Sequence, residues 1–531
     1  QIYFKIMITL PDLRRDYRPK TPLILDTPVV FERQASFHSK CCCDRIIKNF
    51  PKTHNQPMLF PKGAKEKKCK VLRIGVLFSG GQAPGGHNVV YGLFNAIKNF
   101  HSQSILFGFL RGPAGLVKNS FIELSSDLID QYKNQGGFDL IGSGRTKIES
   151  REQLSDSLDT CAKLKLDGLV IVGGDDSNTN AAVLAEYFVS HGSKTSVVGV
   201  PKTIDGDLKN DYVDISFGFH TACSCYSEMI GNISRDALSA KKYTHFVKLM
   251  GRSASHVALE CALRTHPNMT LIGEEVLEKK MHLQDLVHSV ADLVAKRSSM
   301  GKDYGVIVIP EGIIEFIIDV RALIDELNTR LAQNKGVDDL TPGALKTFMF
   351  LPTSIRDQLL LDRDPHGNVM VSHIQTELLL STLVKTELEK RSDFSGSFSP
   401  VHHFFGYEGR SGLPTNFDAN YCYTLGIQAA NLLHDGHTGY MCGVTNMNKA
   451  VKNWKICAIP ITSLMNIEAR KGKNKAVISK ALVDTKSAPF QYFLKKREAW
   501  SLGDYYRFPG PIQFSGPADI IDSFPEIINN F

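Results

Sequence analysis

Short uninterrupted apolar runs recur along the chain, each ending in a glycine-rich or charged stretch and followed by an amphipathic one. Val71 to Phe78, Ile105 to Leu110, Leu166 to Val172, Val197 to Val200, His245 to Leu249, Tyr304 to Ile309 and His403 to Gly406 are such runs. Each is too short for a buried helix and reads as a strand covered on both faces. Helical periodicity follows from His87 to Phe100, Ser177 to Val189, Phe217 to Leu238, onward to His266, and after Phe417-Asp418. That alternation predicts an α/β protein built on parallel sheets. Residues 1–49 show no sustained period and several prolines, so they read as a poorly defined N-terminal extension. Charged helical material between about 321 and 391 reads as an insertion, and the chain after about 475 as a mixed C-terminal segment.

Composition changes this picture little. At 43% hydrophobic and 22% charged residues the chain has the make-up of a soluble globular protein. Its length suggests roughly three domains. The longest apolar runs are too short to span a bilayer, and no secretory leader is recognised. Residues 1–70 hold 15 Lys and Arg against 6 Asp and Glu, so the basic charge belongs to the leader and the remainder is near neutral. The densest part, Lys62 to Lys70, lacks interleaved aromatics and reads as a solvated segment rather than a nucleic-acid surface. The cysteines show no paired C-x-x-C spacing and cluster only at Cys41-Cys42-Cys43. Reduced thiols in a cytoplasmic protein, without a zinc site, are expected.

The chemistry sits at the strand ends, where open α/β sheets bind their ligands. Val197 to Val200 runs into Pro201-Lys202-Thr203-Ile204-Asp205-Gly206-Asp207, one cation beside two carboxylates. Such a set suits a reaction that moves an anionic group and a proton together. Ser79-Gly80-Gly81-Gln82-Ala83-Pro84-Gly85-Gly86 joins a strand to a helix and offers backbone N–H groups to an anion; neither Walker nor dinucleotide spacing is present. Gly142-Ser143-Gly144-Arg145 presents one arginine on a small-residue loop. In Gly173-Gly174-Asp175-Asp176-Ser177, Asp175 is placed to hold Mg²⁺ beside a phosphate. Asp176 adds bulk and repulsion against a further phosphate, although either aspartate could instead cap the helix from Ser177.

These stretches, with Met250-Gly251-Arg252-Ser253-Ala254-Ser255-His256, Pro310-Glu311-Gly312 and Tyr407-Glu408-Gly409-Arg410-Ser411-Gly412-Leu413-Pro414, resemble the phosphofructokinase family, and within it the pyrophosphate-dependent branch of long subunits. The resemblance runs from about Phe50 to about Trp454. It implies two Rossmann-like three-layer lobes with mainly parallel sheets, a helical insertion and an N-terminal extension. The expected division is 1–49 extension, 50–240 phosphoryl-donor lobe, 241–475 sugar-phosphate lobe and 476–531 C-terminal segment. By resemblance Asp205 is the general base toward the 1-hydroxyl of fructose 6-phosphate, Asp207 the acid beside it, and Asp175 the Mg²⁺-associated residue. Gly81, Arg145, Asp176, Lys202 and Thr203 correspond to pyrophosphate-binding positions, with Lys202 also catalytic. Thr203, Asp205, Met250, Gly251, Arg252, Glu311, Tyr407 and Arg410 correspond to sugar-phosphate positions.

The ATP-using branch carries glycine where this chain has Asp176 and Lys202, which implies pyrophosphate as the donor. An ATP-dependent enzyme and a non-catalytic regulatory subunit are the alternatives. The retained acids point to the catalytic kind. A homo-oligomer is implied, a homodimer above all, with pairing to a related subunit as the other possibility. Bacterial relatives borrow arginines from a neighbouring subunit, and which of Lys241, Lys242 and Tyr243 takes that part stays open.

Overall fold

The computed structural model describes residues 9–33, 44–333, 335–361, 369–470 and 473–510. The apolar runs form strands with nearly the expected bounds, Arg73–Ser79, Ile105–Phe109, Gly168–Gly173 and Ser196–Pro201 among them. Every residue of Gly168–Gly173 and Ser196–Pro201 is buried, as strands covered by helices on both sides must be. These four lie side by side and parallel at the centre of a ten-stranded sheet. Tyr440–Thr445 joins them in parallel beside Ser196–Pro201, and Lys455–Pro460 continues the sheet antiparallel. The chain thus returns to the first sheet after visiting the second, although the linear division assigns 241–475 to the other lobe.

The second sheet is parallel throughout, in the order Met269–Thr270, Gly305–Pro310, Thr244–Leu249, Pro400–Phe405. Helices Ile318–Ala332, Pro342–Phe350, Thr353–Leu361 and Thr376–Leu388 form the expected helical insertion. Leu323, Phe348, Leu359 and Leu380 share a core with Phe246, Ile307 and Ile309 of the sheet. Lys248, buried within its strand, is matched by Glu377 of the insertion at 3.1 Å.

The N-terminal extension is better defined than its sequence suggests. Val29–Arg33 pairs with Leu59–Gly63 and forms the outer edge of the ten-stranded sheet. The alternation of Val29 and Phe31 into the core is only five residues long, too short to register as a period. The Cys41 to Cys43 cluster lies outside the described residues; all eight described cysteines are free. Beyond 476, helix Ala488–Leu502 buries Phe490, Phe493 and Trp500. Among the described residues no helix is long and apolar enough to cross a membrane.

Helices Gly86–Phe100 and Asn416–His434 cross in close contact over the first sheet. A Cβ at Gly92 would overlap the Tyr423 carbonyl oxygen, and one at Gly426 would overlap that of Val89. Gly92→Val is expected to cost about 1–3 kcal/mol by overpacking, read as a lower urea midpoint with unchanged slope.

Candidate active site

Register decides where the polar loops meet. Phe78 lies opposite Val172 and Gly173 opposite Pro201, so the loops after these strands leave one edge together. In the second sheet Leu249 aligns with both Pro310 and Phe405, which brings 250–256, 311–312 and 406–414 together in the same way.

On the first edge, Lys202 turns its ammonium inward and donates to the Gly81 carbonyl at 2.6 Å, while its main-chain N–H donates to Gly173 O at 2.9 Å. Gly80, at φ +89°, leaves room for that side chain; a Cβ there would stand 3.2 Å from Nζ. A Cβ at Gly81 would meet Arg410 Cζ at 3.7 Å and Arg145 Nη2 at 3.9 Å. Gly81, Arg145, Lys202 and Arg410 therefore converge on one spot. Burial, with Arg410 and Arg145 adding to it, pulls the Lys202 ammonium down to about 8 against the opposing pull of Asp205.

Thr203 Oγ1 accepts from the Asp205 N–H at 3.1 Å, and Ser216 Oγ donates to the Thr203 carbonyl at 2.9 Å. These bonds hold the turn that carries Asp205. Gly206 has φ +75°, and a Cβ there would press on the Phe219 ring at 2.9 Å. Asp205 is half-buried. Desolvation first, then Asp207 and Glu311, raise its carboxyl well above the ordinary range, against Lys480 and Lys202. Burial likewise raises Asp175 and Glu311.

The turn at 173–177 differs from one sequence expectation. Helix Asp175–Ser190 starts two residues before Ser177, with Gly174 at its N-cap and no side-chain cap. Both aspartates lie inside the first turn, where carboxylates favour the helix dipole. Asp176 is exposed and pairs with Lys147 at 3.2 Å.

On the second edge, Gly251, at φ +128°, donates its N–H to Glu311 Oε2 at 3.3 Å. Gly312 is required because any Cβ would overlap the Arg252 carbonyl oxygen. The Met250 N–H donates to Phe405 O at 3.1 Å, fixing its loop to the neighbouring strand. Arg252 is exposed at the rim. Tyr407 is 71% exposed and carries the Arg410 guanidinium 4.8 Å above its ring, so its aromatic face supports an arginine rather than a core. Arg410 comes from the sugar-side loop yet stands against Gly81, which makes it the bridge between the two sets. Lys241, Lys242 and Tyr243 precede Thr244, at the far end of that strand from this chain's own site.

Several polar residues here were not singled out from sequence. Lys480 reaches Ser253 Oγ at 2.7 Å, Asp207 at 3.6 Å and Asp175 at 3.9 Å. Lys147 pairs Asp176, and Glu315 is close enough to feel Arg252 and Glu311. No glycine-rich strand end flags Lys480. Among the described residues no group of three or more His, Cys, Asp or Glu forms a metal cage. Mg²⁺ needs only one or two carboxylates with phosphate oxygens and water, and Asp175, crowded by acidic neighbours at the donor edge, fits that demand.

A carboxyl whose folded pKa is raised costs the folded state stability above that pKa, and nothing below about pH 4, where the unfolded carboxyl is protonated too. Asp205→Asn is therefore expected to raise the Tm relative to the unsubstituted chain at pH 8, with the difference vanishing toward pH 4. Scanning calorimetry at both pH values checks this.

The chain is 50% identical over 517 residues to pyrophosphate–fructose 6-phosphate 1-phosphotransferase subunit beta 2 of Arabidopsis thaliana, covering 95% of this chain and 91% of that one. It is 47% identical over 540 residues to the pyrophosphate–fructose 6-phosphate 1-phosphotransferase of Treponema pallidum, covering 96% and 94%. The fold is shared with the pyrophosphate-dependent phosphofructokinase of Marinobacter aquaeolei, with a TM-score of 0.55 at 16% identity over 83% of this chain and 94% of that one. Residues 73–433 match the family Phosphofructokinase, a span that holds every strand-end loop described above but not Lys480. The chain belongs to the phosphofructokinase family.

Proposed function

We propose that this chain transfers a phosphoryl group from pyrophosphate to the 1-hydroxyl of fructose 6-phosphate, giving fructose 1,6-bisphosphate and phosphate, reversibly. The observation that carries the choice of donor is the buried Lys202 ammonium on Gly81, among Arg145 and Arg410, with Asp176 in the helix turn beside it. A compact diphosphate can take its charges from Lys202, Arg145 and the Gly81 backbone. A nucleotide needs a further phosphate near Asp176, and that carboxylate opposes it.

Asp205 is the base. It accepts the 1-hydroxyl proton as the new P–O bond forms, and its raised affinity for protons favours that acceptance. Thr203 fixes its turn, and Asp207 stands beside it. Met250, Gly251, Arg252, Glu311, Tyr407 and Arg410 bind and orient the sugar phosphate. Asp175 would hold Mg²⁺, which would neutralise charge on the diphosphate. Catalysis by the chain's own groups is then mostly positioning and charge neutralisation.

The chain is read as the catalytic subunit of an oligomer, since relatives are named as beta and alpha subunits; a homodimer is the favoured form and pairing with a related subunit the alternative. Its eight free described cysteines support work in a reducing cytoplasm.

Assay with each donor tests the reading: turnover with pyrophosphate and none with ATP is expected, and the reverse result removes the role given to Asp176 and Lys202. The pH profile is a second check. Protonation of Asp205 should abolish kcat/KM on the acid side at a pH above the usual carboxylate range, and loss of the Lys202 proton should lower it on the alkaline side near 8. Lys202→Arg, whose guanidinium stays charged, should move the alkaline limb upward, whatever it costs in rate.

A further inference from the structure

One cation among the site's carboxylates comes from neither set of strand-end loops but from the C-terminal segment. We infer that Lys480 is a positioning residue for the phosphoryl transfer, holding Asp207, and with it the Asp205 turn, in the one arrangement that serves the base. The inference rests on the reading of the site given above.

Lys480 and its neighbour grip Asp207 twice. The ammonium lies 3.6 Å from the Asp207 carboxylate, and the Ala481 N–H donates to the Asp207 carbonyl at 2.7 Å. His256, from the sugar-side loop, bonds the Ala481 carbonyl through Nε2 at 2.9 Å. Lys480 itself donates to Ser253 Oγ of that loop at 2.7 Å. The flanking main chain is pinned to elements beside both sheets. The Ile478 N–H donates to Thr179 Oγ1 of the donor-side helix at 3.2 Å. The Val483 N–H donates at 2.9 Å to Glu274 Oε1, which also accepts from the Ser255 N–H at 3.1 Å.

Charge gives this clamp its use. Asp175, Asp205 and Asp207 crowd one corner, while Lys202 is turned toward Gly81. Among the described residues, Lys480 is the ammonium in ion-pair range of Asp207. Like Lys202, it favours the ionised form of Asp205. With Asp207 held by Lys480 and Ala481, the Gly206 turn keeps Asp205 toward the hydroxyl. The distance to Asp175 is longer, 3.9 Å, which leaves that carboxylate available to other ligands.

The test compares the full chain with Lys480→Met, Lys480→Gln and Lys480→Arg, measuring kcat, KM for fructose 6-phosphate and Tm. The expected result for Met and Gln is a kcat lower by about a hundredfold, KM within about threefold and an unchanged Tm. Arg should recover most of the rate. A kcat within about twofold of the unsubstituted chain for Met or Gln, or a change in KM alone, overturns the inference. So does an Arg variant no better than Met. If Met unfolds, Gln, of similar reach, carries the comparison. Each rate is taken with pyrophosphate and with ATP. An unsubstituted chain that uses only ATP refutes the donor assignment, and the kcat ratios with ATP then decide Lys480. A chain that uses neither refutes both.

Discussion

Holding Lys202 as a buried cation constrains everything around it. An ammonium taken out of water must recover its hydration from fixed partners. Here it has the Gly81 carbonyl at 2.6 Å and the field of Asp205 and Asp175, set against two guanidinium groups. Apart from Asp205, three residues on, none of these partners is near it in sequence. Gly81 must lie two strands away, Asp175 on the turn of the strand between and Arg410 on a loop of the other sheet. The parallel registers of the central strands are what deliver them, because strands that end in step release their loops at one edge.

The same demand explains how the lobes are tied. Asp418, fully buried at the start of helix Asn416–His434, accepts from the Gly218 N–H at 3.0 Å and from the main chain and hydroxyl of Thr221. Tyr226, on that same helix Phe219–Ala240, donates from its hydroxyl to Gly406 O at 2.6 Å. One helix therefore carries bonds toward the donor-side core and toward the loop that bears Arg410. Return of the chain to the first sheet through Tyr440–Thr445 closes the connection. The relative position of Arg410 and Gly81 is consequently a property of the packed core rather than of either loop alone.

The site is also where folding and function pull apart. Asp175, Asp205 and Glu311 are all raised by burial, so each ionised carboxyl there opposes the folded state. An apolar residue would sit more comfortably in the same space. Retained acidity of this kind is an expected mark of a site shaped for charge transfer rather than for stability.

Much of this was legible in the chain itself. Uninterrupted apolar runs closed by Gly, Asp or Lys fix strand and loop locally, since a strand covered on both faces has no polar position to spare and its exit must turn. Hence the strands near 73, 168, 196, 244 and 305, and the residues 202–207, could be read without coordinates. Asp175 and Asp176 sit inside the helix rather than ahead of Ser177, because glycine can serve as an N-cap without any side-chain signal. Val29–Arg33 and Lys480 were hidden for a different reason: one owes its strand to a partner at Leu59–Gly63, the other its place to Asp207 and Ser253. Local periodicity records what a segment can do by itself. Which distant segments complete a sheet edge or a charge cluster is settled only when the long-range packing brings them within a few ångströms.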